Sequence, residues 1–216
     1  MSDKKTESLL SHSPERFINR ETSWLAFNNR VLDEAYNSHA PLMERINFLS
    51  ISASNLDEFY MVRIAGLKDY VRQGVTKLSN NGMTPAEELE VIHQVVADMV
   101  QRQHECWIEL RKLLAAEDVL VVKPDELAPK ELGWLEEHFL DNIFPVLTPI
   151  AIDPAHPFPF LPNLGLGVVF QLAGSEQTQK KEQMAIVPLP ARLSRFTLIP
   201  GPKLRFVMLE DIIETF

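Results

Sequence analysis

The sequence predicts an α+β protein, with an all-α helical bundle followed by an α+β head domain built on a small mixed sheet. Three observations carry that expectation. Apolar residues recur at helical spacing almost without interruption from Trp24 to Leu114. From Val119 onward, short β-branched and aromatic runs alternate with turn signals. Hydrophobic residues make up 45% and charged residues 24% of 216 residues, enough apolar material and length for two buried cores. The expected layout is a disordered lead over 1–14, a helical domain over 15–116, and a head domain over 117–216.

The elements follow in order. The lead is polar and aperiodic. Trp24, Phe27, Val31, Leu32 and Ala35 mark a helix over about 22–37. Pro41 suits the first turn of a short helix with Leu42, Ile46 and Leu49. Ser54 or Asn55 is expected to open a third helix reaching about Gln73, because Asn55 with Glu58 three residues on fits a capping box. Its apolar side is Leu56, Phe59, Tyr60, Ile64, Leu67 and Val71. After a turn at 79–83, Thr84-Pro85-Ala86-Glu87 combines an N-cap, a first-turn proline and an acid at the third position. The helix it opens reaches about Ala116; some thirty residues make about 45 Å, a length that needs an antiparallel partner.

In the second half, Val119–Val122 reads as a buried strand and 129–144 as a helix. The proline-studded stretch 145–162 reads as extended loop, since proline removes donors and fixes φ. Leu164–Leu172 and Met184–Val187 are expected strands joined by a polar loop over 174–181. Leu204–Leu209 is a further strand, and a helical turn begins at Glu210. Ending inside the apolar run Phe206–Phe216 suggests a head domain that continues in a longer protein.

Several functions are excluded or disfavoured. The net charge of −9 argues against a broad nucleic-acid face, which needs a basic excess. No apolar run is long enough for a transmembrane segment, and the start lacks a signal-peptide core. Lone Cys106, expected in a buried helical position, fits a reducing, cytoplasmic setting; peripheral membrane association is left open. Phosphate loops of the G-x-x-x-x-G-K type and H-E-x-x-H pairs are absent. His93 and His104 lie eleven residues apart on the long helix, too far to share a metal. His156, stiffened by Pro154, Pro157 and Pro159, has Asp153 as its near partner and reads first as a support for a rigid loop. No catalytic set and no metal site can be assembled. Arg16, Arg20, Arg45, Arg63 and Lys68 cluster in the helical half, where Arg45 and Arg63 could form a charged network with Asp57 and Glu58; a solvated or salt-bridged face is favoured over a phosphate cleft.

Five ordered blocks carry a resemblance. Ile18-Asn19-Arg20-Glu21-x-Ser23-Trp24-Leu25-Ala26-Phe27-Asn28 is similar to the opening helix of bacterial polyphosphate kinases of the phosphohistidine type, with Thr22 in place of the usual leucine. Pro41-Leu42-x-Glu44-Arg45-x-x-Phe48-Leu49 and Ser54-Asn55-Leu56-Asp57-Glu58-Phe59-Tyr60-Met61-Val62-Arg63 follow. Phe144-Pro145-Val146-Leu147-Thr148-Pro149 with Asp153 to Phe160, and Arg205-Phe206-Val207-x-Leu209-Glu210-Asp211, resemble the family's middle domain. The resemblance implies reversible transfer of the terminal phosphate of ATP to inorganic polyphosphate. It implies ATP and ADP as ligands, a homo-oligomer formed through the head domain, and a phosphoprotein whose phosphohistidine and magnesium belong to C-terminal domains missing here. It implies one site residue, Asn55, as an ATP contact near adenine. A carboxamide's acceptor and donor suit adenine's amine and adjacent ring nitrogen. The 216 residues alone are expected to be inactive. The alternative is a non-catalytic helical protein-interaction module.

Overall fold

The path of the chain between Asn19 and Ala116 is set by four helices and two proline starts. In the computed structural model the described residues are 13–152, 158–172 and 183–216, forming two compact units, Met1–Leu113 and Leu114–Phe216. Most of the lead, His156 with Asp153, and the 174–181 loop lie outside the described residues.

In the first unit, α1 (Arg20–Tyr36) starts where Asn19 Oδ1 accepts the N–H groups of Glu21 and Thr22 at 2.9 and 3.0 Å. Its inward face is Leu25, Asn28, Leu32 and Ala35, a helical spacing with one polar member. The chain turns at Pro41 into α2 (Leu42–Phe59), which runs on through a π-helical turn (Tyr60–Ile64) into α3 (Ala65–Arg72). Junction residues Phe59, Tyr60, Ile64 and Ala65 all keep right-handed helical φ and ψ. The expected helix start at Ser54–Asn55 is therefore absent. Those residues sit inside α2, because Arg45, Ser52, Leu56 and Phe59 hold one inward face across them and packing overrides a local capping signal. For the same reason the helix after Pro41 is not short.

The π turn has a packing cause. In a straight α-helix, the residue one turn beyond buried Phe59 would be Val62 or Arg63. The wider turn sends Val62 outward, 68% exposed, and brings Ile64 into the core. Gly74 ends α3 at φ +69°, with Gly74 N–H donating to Val71 O and Val75 N–H to Tyr70 O, the paired bonds of a Schellman cap. Helix α4 (Pro85–Ala116) spans 32 residues. It opens on the expected box, in which Thr84 N–H donates to Glu87 Oε2 at 2.8 Å and Glu87 N–H to Thr84 Oγ1 at 3.3 Å. Ile92, Met99, Cys106 and Leu110 of α4 pack with Leu25, Leu32, Leu56 and Phe59 in one core.

Among its described residues the second unit carries two three-stranded sheets where a single small mixed sheet was expected. Strand β1 (Val119–Val121) pairs parallel with β6 (Leu204–Met208), and β5 (Phe196–Ile199) pairs antiparallel with β6. The other sheet, order β2-β4-β3, is antiparallel throughout: β2 (Ile150–Ile152), β3 (Gly167–Leu172) and β4 (Gln183–Pro188). Strand β2 corrects the reading of 145–162 as loop, since Ile150, Ala151 and Ile152 fit between prolines and pair with Ile186, Ala185 and Met184. Helix α5 (Pro129–His138) starts with Ala128 N–H donating to the Glu131 carboxylate, and α6 (Leu209–Thr215) follows β6. Leu135, Ile199, Val207, Leu209 and Ile212 form the centre of this core.

Candidate nucleotide-base site

Asn55, the one residue to which the family resemblance gives a ligand role, lies mid-way along α2 and is partly exposed. Its Nδ2 donates to Asn28 Oδ1 at 3.1 Å. Asn28 is fully buried on α1, and its Nδ2 donates to the Ser52 carbonyl at 2.9 Å and to Met99 Sδ at 3.4 Å. A buried carboxamide satisfied on both sides is cheap, whereas an orphaned one costs about 1–3 kcal/mol. The network continues, since Gln103 Nε2 donates to Ser52 Oγ at 3.0 Å. Asn55, Asn28, Ser52 and Gln103 thus link α1, α2 and α4 through polar contacts beside the apolar core.

Asn55 Oδ1 has no partner among the described residues, so the carboxamide presents an acceptor, with its second N–H beside it. One turn earlier on the same face, Ile51 is 40% exposed. One turn later Phe59 is buried and stacks on Trp24, with ring centroids 4.7 Å apart and planes 10° off parallel. This stack braces α2 against α1 next to Asn55. Burial also pushes the Tyr60 hydroxyl up, so it stays protonated at neutral pH.

Arg45 stands apart from Arg20 and Arg63, which share the Glu21 carboxylate at 3.4 and 3.1 Å. Arg45 is buried, donates from Nε to Ala35 O at 2.8 Å in the last turn of α1, and pairs with Glu109 at 3.0 Å. Arg63 pairs with Glu21 at 3.1 Å, in the first turn of α1. Fourteen residues of helix, about 21 Å, separate those two anchor points. Arg45 and Arg63 are both salt-bridged and brace the ends of α1, with Glu109 and Glu21 as partners in place of Asp57 and Glu58. His93 and His104 are exposed, and burial pushes the Cys106 thiol up, which keeps it protonated and unreactive. Among the described residues, no group of three or more His, Cys, Asp or Glu could hold a metal ion. No helix among them is long and apolar enough to cross a membrane.

Asn28, Ser52 and Gln103 were not singled out from the sequence. The available signal was a polar residue in the inward phase of α1, at 28 between Leu25 and Leu32, where the helical pattern calls for an apolar side chain.

The described residues thus form a helical unit, in which Asn55 presents an unpartnered carboxamide oxygen, and an α+β unit with two small sheets. Family models match both parts: residues 17–122 fit the polyphosphate kinase N-terminal domain and 130–216 the polyphosphate kinase middle domain. The chain belongs to the polyphosphate kinase family. It is 44% identical over 202 residues to a polyphosphate kinase of Erythrobacter litoralis, covering 94% of this chain and 28% of that protein. A Thermosynechococcus vestitus polyphosphate kinase is 42% identical over 198 residues, covering 91% and 27%. The crystal structure of polyphosphate kinase from Porphyromonas gingivalis superposes with a TM-score of 0.79 at 27% identity, over 92% of this chain and 30% of that one. The chain therefore spans less than a third of the relatives it matches. These matches do not favour a free-standing interaction module.

Proposed function

We propose that this chain is the base-holding part of a polyphosphate kinase that reversibly transfers the terminal phosphate of ATP to inorganic polyphosphate. The supporting observation is the Asn55 carboxamide, which has Oδ1 unpartnered and one N–H tied to Asn28. An acceptor beside a donor is complementary to adenine, whose N6 amine donates and whose N7 accepts. Asn55 contacts the base; the phosphohistidine and magnesium belong to further domains of the intact enzyme. Phosphoryl transfer depends on positioning and charge stabilisation, so a domain gripping the base affects the reaction without touching the migrating phosphate. The α+β unit is the proposed seat of self-association.

The test is direct. The purified 216 residues, incubated with γ-labelled ATP, magnesium and a polyphosphate primer, are expected to transfer no label, while the intact enzyme carrying them does. Transfer by the 216 residues alone would place chemistry within these domains and contradict the proposal.

A further inference from the structure

We propose that Asn28 is a positioning residue that fixes which end of the Asn55 carboxamide faces outward, and so sets the preference for adenine over guanine. The inference rests on the reading of Asn55 as the base contact.

One group in this chain of contacts cannot be turned round. The Ser52 carbonyl only accepts, so the Asn28 amide nitrogen must face it, and it does so at 2.9 Å. With its nitrogen committed there and to Met99 Sδ, Asn28 turns its Oδ1 to Asn55. That oxygen likewise only accepts, so Asn55 must present its nitrogen, and its own Oδ1 is left facing away. Two successive amides thereby transmit the polarity of one main-chain carbonyl to the ligand-facing side of α2. Asn28 is fully buried, so solvent offers it no other partner, and reversing it would set its oxygen against the Ser52 carbonyl.

The outward group is then an acceptor with a single N–H beside it. Adenine meets it with its N6 amine. Guanine puts its O6 carbonyl at that edge, opposing two acceptors. A lone asparagine could rotate to suit either base; this one is held to one orientation. Selectivity is thus built from a backbone group that never touches the nucleotide.

Two readouts test the idea. Hydrogen exchange of the Asn55 side-chain amide, followed by NMR on the 216-residue chain, reports orientation without any ligand. One of its two protons should be protected in the native chain, and protection should vanish in Asn28→Leu, a near-isosteric change at a core-phase position. Free exchange in the native chain, or protection surviving in the variant, would overturn the inference; the native measurement decides even if Asn28→Leu folds poorly. In the intact enzyme, the ATP-over-GTP ratio of kcat/KM should fall roughly ten-fold in Asn28→Leu, within the discrimination expected of one bidentate base contact. Asn28→Asp, whose buried carboxyl keeps its proton, can still donate to Ser52 O and accept from Asn55, and should retain the ratio to within about two-fold. A structural role alone would lower stability and leave the ratio unmoved, which also overturns the inference. Asn55→Ala separates the two levels. If it changes the ratio but Asn28→Leu does not, positioning is wrong. If Asn55→Ala changes neither the ratio nor KM for ATP, the base-contact reading is wrong and the selectivity falls with it, whatever the exchange data show.

Discussion

Replacing Ser54 with alanine separates two accounts of the motif by the sign of the effect. Were Ser54 a helix cap, its loss would cost about 1 kcal/mol. In the structure Ser54 is exposed within the continuous α2, and alanine there should gain about 0.5 kcal/mol from helix propensity. The accounts thus differ by about 1.5 kcal/mol. Asn55→Ala should go the other way. It gains about 0.6 kcal/mol of propensity but leaves the carbonyl of fully buried Asn28 without its donor, a loss of about 1–3 kcal/mol, for a net loss near 1 kcal/mol. Adding Asn28→Leu to Asn55→Ala removes both partners and should recover part of that loss, a coupling seen only in contacting residues. Urea unfolding followed by helical circular dichroism and tryptophan fluorescence reads these three variants and Asn28→Leu alone. A loss of about 1 kcal/mol in Ser54→Ala with no loss in Asn55→Ala would refute the continuous helix and the buried relay together.

Other changes probe the scaffold. Arg45→Met should cost about 2 kcal/mol because it removes a charged donor from the last turn of α1, whereas Glu109→Gln should cost under about 1 kcal/mol, since Glu109 is largely exposed; thermal unfolding compares them. Phe59→Ala empties a buried site stacked on Trp24 and should cost about 3–5 kcal/mol, with a change in tryptophan fluorescence that marks the lost stack. The Thr84 backbone and side-chain hydrogen bonds hold the Glu87 carboxyl below its ordinary pKa. A depressed carboxylate contributes stability above its unfolded pKa and loses it as pH falls through the folded value. Glu87→Gln should therefore be less stable than the native chain at neutral pH, and the gap should close in acid. A gap that is unchanged across the acid range would refute the assignment.

Much of the architecture was legible because the local signals agreed with the packing. Thr84-Pro85-Ala86-Glu87 starts a helix in sequence and in structure, since that requirement does not depend on distant contacts, and the preceding helix ends near Gln73 as expected. Ser54-Asn55 looked equally good and was misleading. A capping side chain and a mid-helix polar side chain are the same residue until the packing of its neighbours is known. Strand β2 was hidden for a related reason: its three residues between prolines show no readable period, and only pairing with β4 makes them a strand. At the site, Asn55 entered through the family resemblance. Its support was not read: Asn28 left a signal that went unused, a polar break in the inward stripe of α1, and Ser52's carbonyl carries no sequence signature at all. A main-chain group becomes specific only when the fold aims it.

The central claim is that Asn55 contacts the nucleotide base, and steady-state kinetics of the intact enzyme carrying this chain tests it most directly. Asn55→Ala should raise the KM for ATP roughly ten-fold while leaving kcat within about two-fold, the mark of lost binding that does not change during reaction. An unchanged KM, accompanied only by the stability loss from Asn28's orphaned carbonyl, would reduce Asn55 to a packing residue and contradict the account.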